Sequence, residues 1–398
     1  MIKLDSRAQL AVASAILIIF FMGLLFYYLD QANRRLTGDT NINVPTNSQL
    51  EVIASDGTVS LLSQSGQVID QPSGGELPIR QVAQGPISNY RVISTAESYH
   101  IRYIKSDTGF IYDYYPQTNN EVRLTNTSLP RITNALWLAD DLVYINYNND
   151  GRDVNYLAHI DITNGSLDGQ IFPPEISSIV ASDDQILYLV MDDSGSSLYR
   201  YNANSGSSQF LLASDLQQAD LLIDQETKEV YLASKINPSS SQVLYRVNPG
   251  TYRLELLPTR SQKGAGFVIA SGTIMQLEKD SAKIYKQNES EPTIVGEIFS
   301  TAGKCQTASN IIETQEIICS ITDLDDRDQR NWPFNWFMGQ LKPSERIVSI
   351  DTNFGGYFDI IDLENVYDIE KLQVTPEYLY FISRRTGGLY EVFRGSVL

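Results

Sequence analysis

Apolar and polar positions along this chain fall into a weak repeat of about 43 residues: an apolar strand with a tyrosine near its centre, a polar hairpin, then a strand closing on Asn or Asp. The repeat centres are Tyr103, Tyr144, Tyr188, Tyr231, Met275, Ile318 and Tyr380, giving spacings of 41, 44, 43, 44, 43 and finally 62. The strand after each hairpin is the most regular element, as in LAHID from 157, LYRYN from 198, LYRVN from 244 and LYEVF from 389. Tight turns follow several of these strands. DITNG (161–165), NANSG (202–206) and DTNFG (351–355) put Asn or Asp first and Gly fifth, where a side-chain cap and a positive φ allow reversal into a further strand.

A fixed period of 40 to 50 residues built only from strands predicts a β-propeller, each repeat being one blade that cannot bury its faces alone. Small residues in VISTAES, ALWLADD, SIVASDD and GFVIASG suit inner strands that crowd around an axis. The fold class is therefore all-β, with seven units at roughly 89–127, 132–172, 177–214, 219–259, 265–299, 304–363 and 367–398. The last unit is one strand short. Residues 50–70 hold unassigned strands, so a strand from there is expected to complete the last blade, making 49–398 the propeller and 71–86 a Pro/Gly-rich connector. Eight blades is the alternative, if 50–70 forms most of a blade itself.

Units such as SSLYRYNANSG and YLYFISRRTGGLYEVF resemble blades of the TolB-like and quinoprotein-like β-propeller superfamilies, across nearly all of residues 89–394. The resemblance is one of repeat style and implies the fold only. The Trp-Asp of WD40 blades, the double glycines of kelch and the boxes of sialidases are absent, so no functional residue carries over.

Leu10 to Leu29 (LAVASAILIIFFMGLLFYYL) contains no charge and is long enough to cross a hydrocarbon core of about 30 Å. A single transmembrane helix over 10–29 is expected, after a short leader at 1–9 and before a polar stalk at 30–48. The run is long for a cleaved signal peptide and no small-x-small site follows it. Lys3 and Arg7 balance Arg34 and Arg35, so the positive-inside count is a tie. A short leader ahead of a large domain favours a signal anchor, with the N-terminus cytoplasmic and the propeller outside the cell membrane. With 30 Lys plus Arg against 48 Asp plus Glu, the net charge of −18 argues against a nucleic-acid partner. Cys305 and Cys319 flank two strands that turn near Ile312, which suits a cross-strand disulfide and an oxidising compartment.

Candidate chemistry is sparse. The only histidines, His100 and His159, lie within strands without converging partners, and no haem-attachment, nucleophile-elbow or phosphate-loop motif appears. No cofactor is expected. Asn146, Asn148 and Asp150 alternate before Gly151 like half a calcium loop, and DLDDRD clusters Asp323, Asp325, Asp326 and Asp328; an ordinary turn explains either. The 62-residue spacing is more distinctive. It lengthens one hairpin by DDRDQRNWPFNWFMGQLKPSE, where Trp332, Pro333, Phe334, Trp336, Phe337 and Met338 form an aromatic cluster. Such a cluster either folds back over its blade or binds a partner, and Trp332, Phe334, Trp336, Phe337 and Met338 are the candidate partner-binding residues. The leading expectation is a membrane-anchored, protein-binding or scaffolding subunit of a cell-envelope assembly. Alternatives are an extracytoplasmic hydrolase or lyase using channel carboxylates such as Asp140, Asp141, Asp183 and Asp184, or a receptor for sugars or peptidoglycan.

Overall fold

The computed structural model describes three short strands between residues 51 and 69, and residues 79–393 apart from 95–97, 183–184, 204, 236–241, 262–265, 287–290, 308–315, 342–343 and 364–366. The expected transmembrane helix, leader and stalk lie outside the described residues. The chain divides into two compact units, 1–75 and 76–398. In the first, Glu51–Ile53, Val59–Leu62 and Val68–Ile69 pair as a three-stranded antiparallel sheet.

The second unit is a seven-bladed β-propeller. Each blade is a four-stranded antiparallel sheet, and six follow chain order: 87–123, 132–172, 176–214, 219–261, 266–296 and 305–362. The repeat centres lie on the second strand of each blade, where Tyr103, Met275, Ile318 and Tyr380 are fully buried and Tyr144, Tyr188 and Tyr231 nearly so. Tyrosine suits this place because its ring packs between facing sheets while its hydroxyl reaches a polar group at the edge of the apolar layer. Tyr144 donates to Asn155 Oδ1 (2.8 Å), Tyr231 to Glu229 (2.5 Å) and Tyr103 to Glu121.

The apolar core is divided into seven clusters, one at every junction between neighbouring blades, including blade 7 against blade 1. An open row of seven sheets would have only six such junctions, so the ring is closed. The turns after the third strands form as their residues demand. Asp161 Oδ1 caps the amides of Thr163 and Asn164, Asp351 Oδ1 those of Asn353 and Phe354, and Gly165, Gly206 and Gly355 take φ of 65°, 65° and 70°.

Blade 7 corrects the expected closure. Its strands Ile369–Val374, Tyr378–Ser383 and Leu389–Phe393 are completed by Ile79–Ala83, not by a strand from 50–70, and the sheet of 51–69 belongs to the other unit. The propeller thus occupies 76–398 rather than 49–398, and residues 50–70 add no eighth blade. Ile79–Ala83 sits in the stretch read as a connector. It is a strand because Val82 and Ala83 enter the blade 7/blade 1 core and Arg80 stands opposite Glu391, its Nε donating to Glu391 Oε1 at 2.6 Å.

Candidate functional site

The insertion of blade 6 lies between the strands Glu316–Asp323 and Ser344–Asp351, and carries two single helical turns, Asp326–Gln329 and Phe334–Phe337. Its aromatic residues divide by direction. Trp332, Trp336 and Leu341 are buried and, with Phe299 and Leu324, form a small core of their own. Phe334, Phe337 and Met338 face outward, 47%, 37% and 58% exposed. The structure therefore separates the five candidates into two residues that hold the loop down and three that face solvent.

Trp336 is the fastening. Its indole lies 4.4 Å from Lys304 Nζ and 4.3 Å from Arg384 Cζ, and its Nε1–H donates to Asp368 Oδ1 at 2.7 Å. Arg384 also donates to the Trp336 carbonyl (3.2 Å). Below the ring Lys304, fully buried, pairs with Glu345 and lies 3.4 Å from Asp368. Burial pushes the Glu345 carboxyl above its usual value, against the pull of Lys304. Its oxygens also accept from Ser320 Oγ (3.1 Å) and the amide of Ile369 (2.6 Å). A buried charge without partners costs several kcal/mol, so this network fixes the loop at the junction of blades 6 and 7.

The ring axis supplies a second candidate. The ends of all seven inner strands line a funnel of about 920 Å³, whose rim includes Arg91, Asp140, Asp141, Asp224, Glu226, Ser271 and Thr375. A polar cavity of about 540 Å³, lined by Asn89, Asn134, Asn146, Asp220, Gln306 and Lys371 among others, continues along the inner strands. The rim carboxylates do not converge on one point. Asp140 pairs with Arg91 (2.8 Å), Asp141 is 3.5 Å from His159, and Glu226 accepts from Ser271 Oγ. Asp224 accepts from the amides of Gly272 (2.7 Å), Glu226 (2.9 Å) and Thr227 (3.2 Å), which together outweigh its burial and hold its carboxyl below the usual value. Asp183 and Asp184 lie outside the described residues. Deeper in the cavity, burial shifts Asp220 upward and Lys371 downward, so each is drawn toward its neutral form. Lys371 donates to the Ser88 carbonyl, and Gln373 bridges to Tyr90 O (2.9 Å) and Val92 N (3.1 Å), stitching blade 7 to blade 1.

At the first calcium candidate the side chains are engaged within the turn. Asn146 donates to Asn155 Oδ1 (2.6 Å) and Asn148 to Asp153 Oδ1 (3.0 Å), while Asn148 Oδ1 caps Gly151 and Asp150 takes φ of 51° as part of the reversal. Among the described residues, no group of three or more His, Cys, Asp or Glu could hold an ion. His100 is 3.3 Å from Asp113, which forms a two-pronged pair with Arg102. Cys305 and Cys319 are direct cross-strand partners joined by a disulfide, with Cα atoms 4.1 Å apart.

No family model and no curated protein matches the chain. Solved structures do. The WD40 domain of Neurospora crassa Pan2 aligns over 79% of this chain and 90% of its own, at 11% identity and a TM-score of 0.51. A catalytically inactive virginiamycin B lyase from Staphylococcus aureus with quinupristin aligns over 80% of this chain and 99% of its own, at 10% identity and a TM-score of 0.50. At such identities the likeness shows the fold, a β-propeller, and nothing narrower.

Sequence reasoning missed the clamp beneath the insertion. Lys304, Glu345, Asp368 and Arg384 come from distant positions and carry no local pattern.

Proposed function

We propose that this protein is a membrane-anchored, extracytoplasmic propeller that serves as a protein-binding or scaffolding subunit of a cell-envelope assembly. The observation that carries the reading is the outward trio Phe334, Phe337 and Met338, presented on a loop that Trp336 fastens to two blades. Preorganised apolar side chains on a rigid scaffold bind with little ordering cost, and aromatic anchors dominate interface energies. The uncharged run at 10–29 supports anchoring, and the disulfide is consistent with an oxidising compartment.

The test is crosslinking of the full chain in its native membrane, wild type against Phe334→Ser/Phe337→Ser/Met338→Ser. Deleting the loop would also remove Trp336, whereas the triple variant keeps it and loses only the edge-on contact of Phe337 with its ring, 5.0 Å between centres. Loss of a specific crosslinked partner is expected, with the seven blades still folded. An identical crosslinking pattern in the triple variant overturns the reading.

The funnel favours a second reading, an enzyme or glycan receptor working at the axis. Substituting Asp220 and Lys371 together would then abolish a turnover or a saccharide affinity that the triple variant leaves intact.

A further inference from the structure

Between blades 3 and 4 lies a separate cleft of about 440 Å³, within the range of roughly 300–1,000 Å³ usual for small-ligand sites. Its walls are mostly apolar: Leu187, Leu198 and Leu211 from blade 3, and Val230, Val247 and Pro249 from blade 4. Its polar lining is Gln185, Thr227, Lys228, Glu229 and the joined pair Arg200 and Tyr252. The Arg200 guanidinium donates from Nη2 to the Tyr252 hydroxyl and lies 5.6 Å from the centre of that ring. Its Nε is buried and has no acceptor.

The charge of Arg200 is also unanswered. Arg102 pairs with Asp113, Arg80 with Glu391, Arg346 with Asp323 and Asp359, and Arg246 with Glu229 and Glu255. Among the described residues, no carboxylate lies within ion-pairing distance of Arg200. The acidic residue on the cleft wall, Glu229, is taken by the Tyr231 hydroxyl (2.5 Å) and by Arg246. A cation held against apolar walls with a buried, unused N–H carries a desolvation cost that an incoming anion would relieve. In a chain of net charge −18, an unpaired guanidinium in a cleft marks a place where a negative ligand is attracted rather than repelled.

We propose that this cleft binds an apolar carboxylate, with the carboxylate against the Arg200 guanidinium and the Tyr252 hydroxyl and the hydrocarbon against Leu187, Leu211 and Val247. The planar guanidinium favours a carboxylate, which can accept two parallel hydrogen bonds. Two sources share this chemistry: a short fatty acid, and the C-terminus of a peptide ending in an aliphatic residue.

The test is calorimetric titration of the full-length protein with hexanoate and N-acetyl-leucine, each against its uncharged amide. Both acids are expected to bind at one competing site, at least tenfold more tightly than their amides, and the tighter acid identifies the natural source. Arg200→Met is expected to abolish the preference for acid over amide, while Arg346→Met, in an arginine already paired in blade 6, keeps it. Should Arg200→Met melt several degrees below wild type, Arg200→Lys is read instead, since it keeps a charge and lacks the planar guanidinium; a loss of several-fold is expected there. Equal affinity for acid and amide in the wild type overturns the proposal, and so does wild-type affinity in a well-folded Arg200 variant.

Discussion

Replacing Trp336 with alanine should release the insertion while leaving the seven blades assembled. The indole is 6% exposed, has two cations within 4.4 Å of its centre and makes the hydrogen bond to Asp368. Truncating a buried tryptophan costs about 3–5 kcal/mol, and this figure already contains the cation and hydrogen-bond contacts. Trp336→Phe separates the contributions. It keeps most of the ring and loses the N–H, leaving Asp368 one donor short at about 1–3 kcal/mol. Native-state hydrogen exchange reads the effect at the amides of Phe337, Met338 and Gln340, which bond to the carbonyls of Pro333, Phe334 and Asn335 within the loop. At about 1.4 kcal/mol per factor of ten, their protection should fall by more than a hundredfold in the alanine variant and about tenfold in the phenylalanine variant. Amides of blade 2 should exchange as before. Unchanged loop protection in Trp336→Ala refutes the clamp; equal loss of protection throughout the ring refutes its being local.

Removing the cation at the ring closure, Arg80→Met, leaves Glu391 without its counter-charge. Because Arg80 is 40% exposed, about 1–2 kcal/mol is expected at neutral pH rather than the cost of breaking a dry pair. Burial already raises the Glu391 carboxyl above its usual value, so this loss should be smallest at acid pH, well below the ordinary glutamate range, and grow as pH rises through the folded value; a pH-independent difference in melting would argue against it. The Cys305→Ser/Cys319→Ser double variant should lose about 3 kcal/mol, since the bridge closes a sequence separation of 14; a change below about 1 kcal/mol in denaturant titration would show that the bridge adds little. Gly195 takes φ of 147°, and a Cβ there would stand 2.0 Å from the Ser214 carbonyl oxygen. Gly195→Ala should therefore cost at least about 2 kcal/mol, read as a lowered melting temperature, and wild-type melting would show that the turn relaxes freely.

The blades were legible because their determinant is local and repeated: one large residue per second strand, buried between two sheets, seven times along the chain and five times at a spacing near 43. The predicted blade limits and the observed sheets agree to within a few residues for blades 1 to 6. The closing strand was not legible. Ile79–Ala83 is a five-residue edge strand followed by Gly85 and Pro86, and what makes it a strand is Glu391 and Val392 at the far end of the sequence. The insertion was visible as a departure from period, but its inside and outside depended on Lys304, Asp368 and Arg384, which only the closed ring brings under Trp336. Arg200 was invisible for a related reason. Its distinction is a place in the cleft with a buried Nε–H that has no acceptor, which no sequence pattern announces.

Closure by Ile79–Ala83 also sets a schedule for biosynthesis. The strand emerges from the ribosome first among the propeller's elements, yet its partner Leu389–Phe393 follows roughly 300 residues later, about 15–60 s at ordinary rates of translation. Throughout that interval six blades can form while the seventh lacks its last strands, and the N-terminal strand has no edge to join. Ring assembly is thus finished only after Leu389–Phe393 has been made. A truncation that removes Leu389–Phe393 would leave two unmatched edges, the open rim of blade 7 and Ile79–Ala83, each able to pair with the other's counterpart in a second molecule.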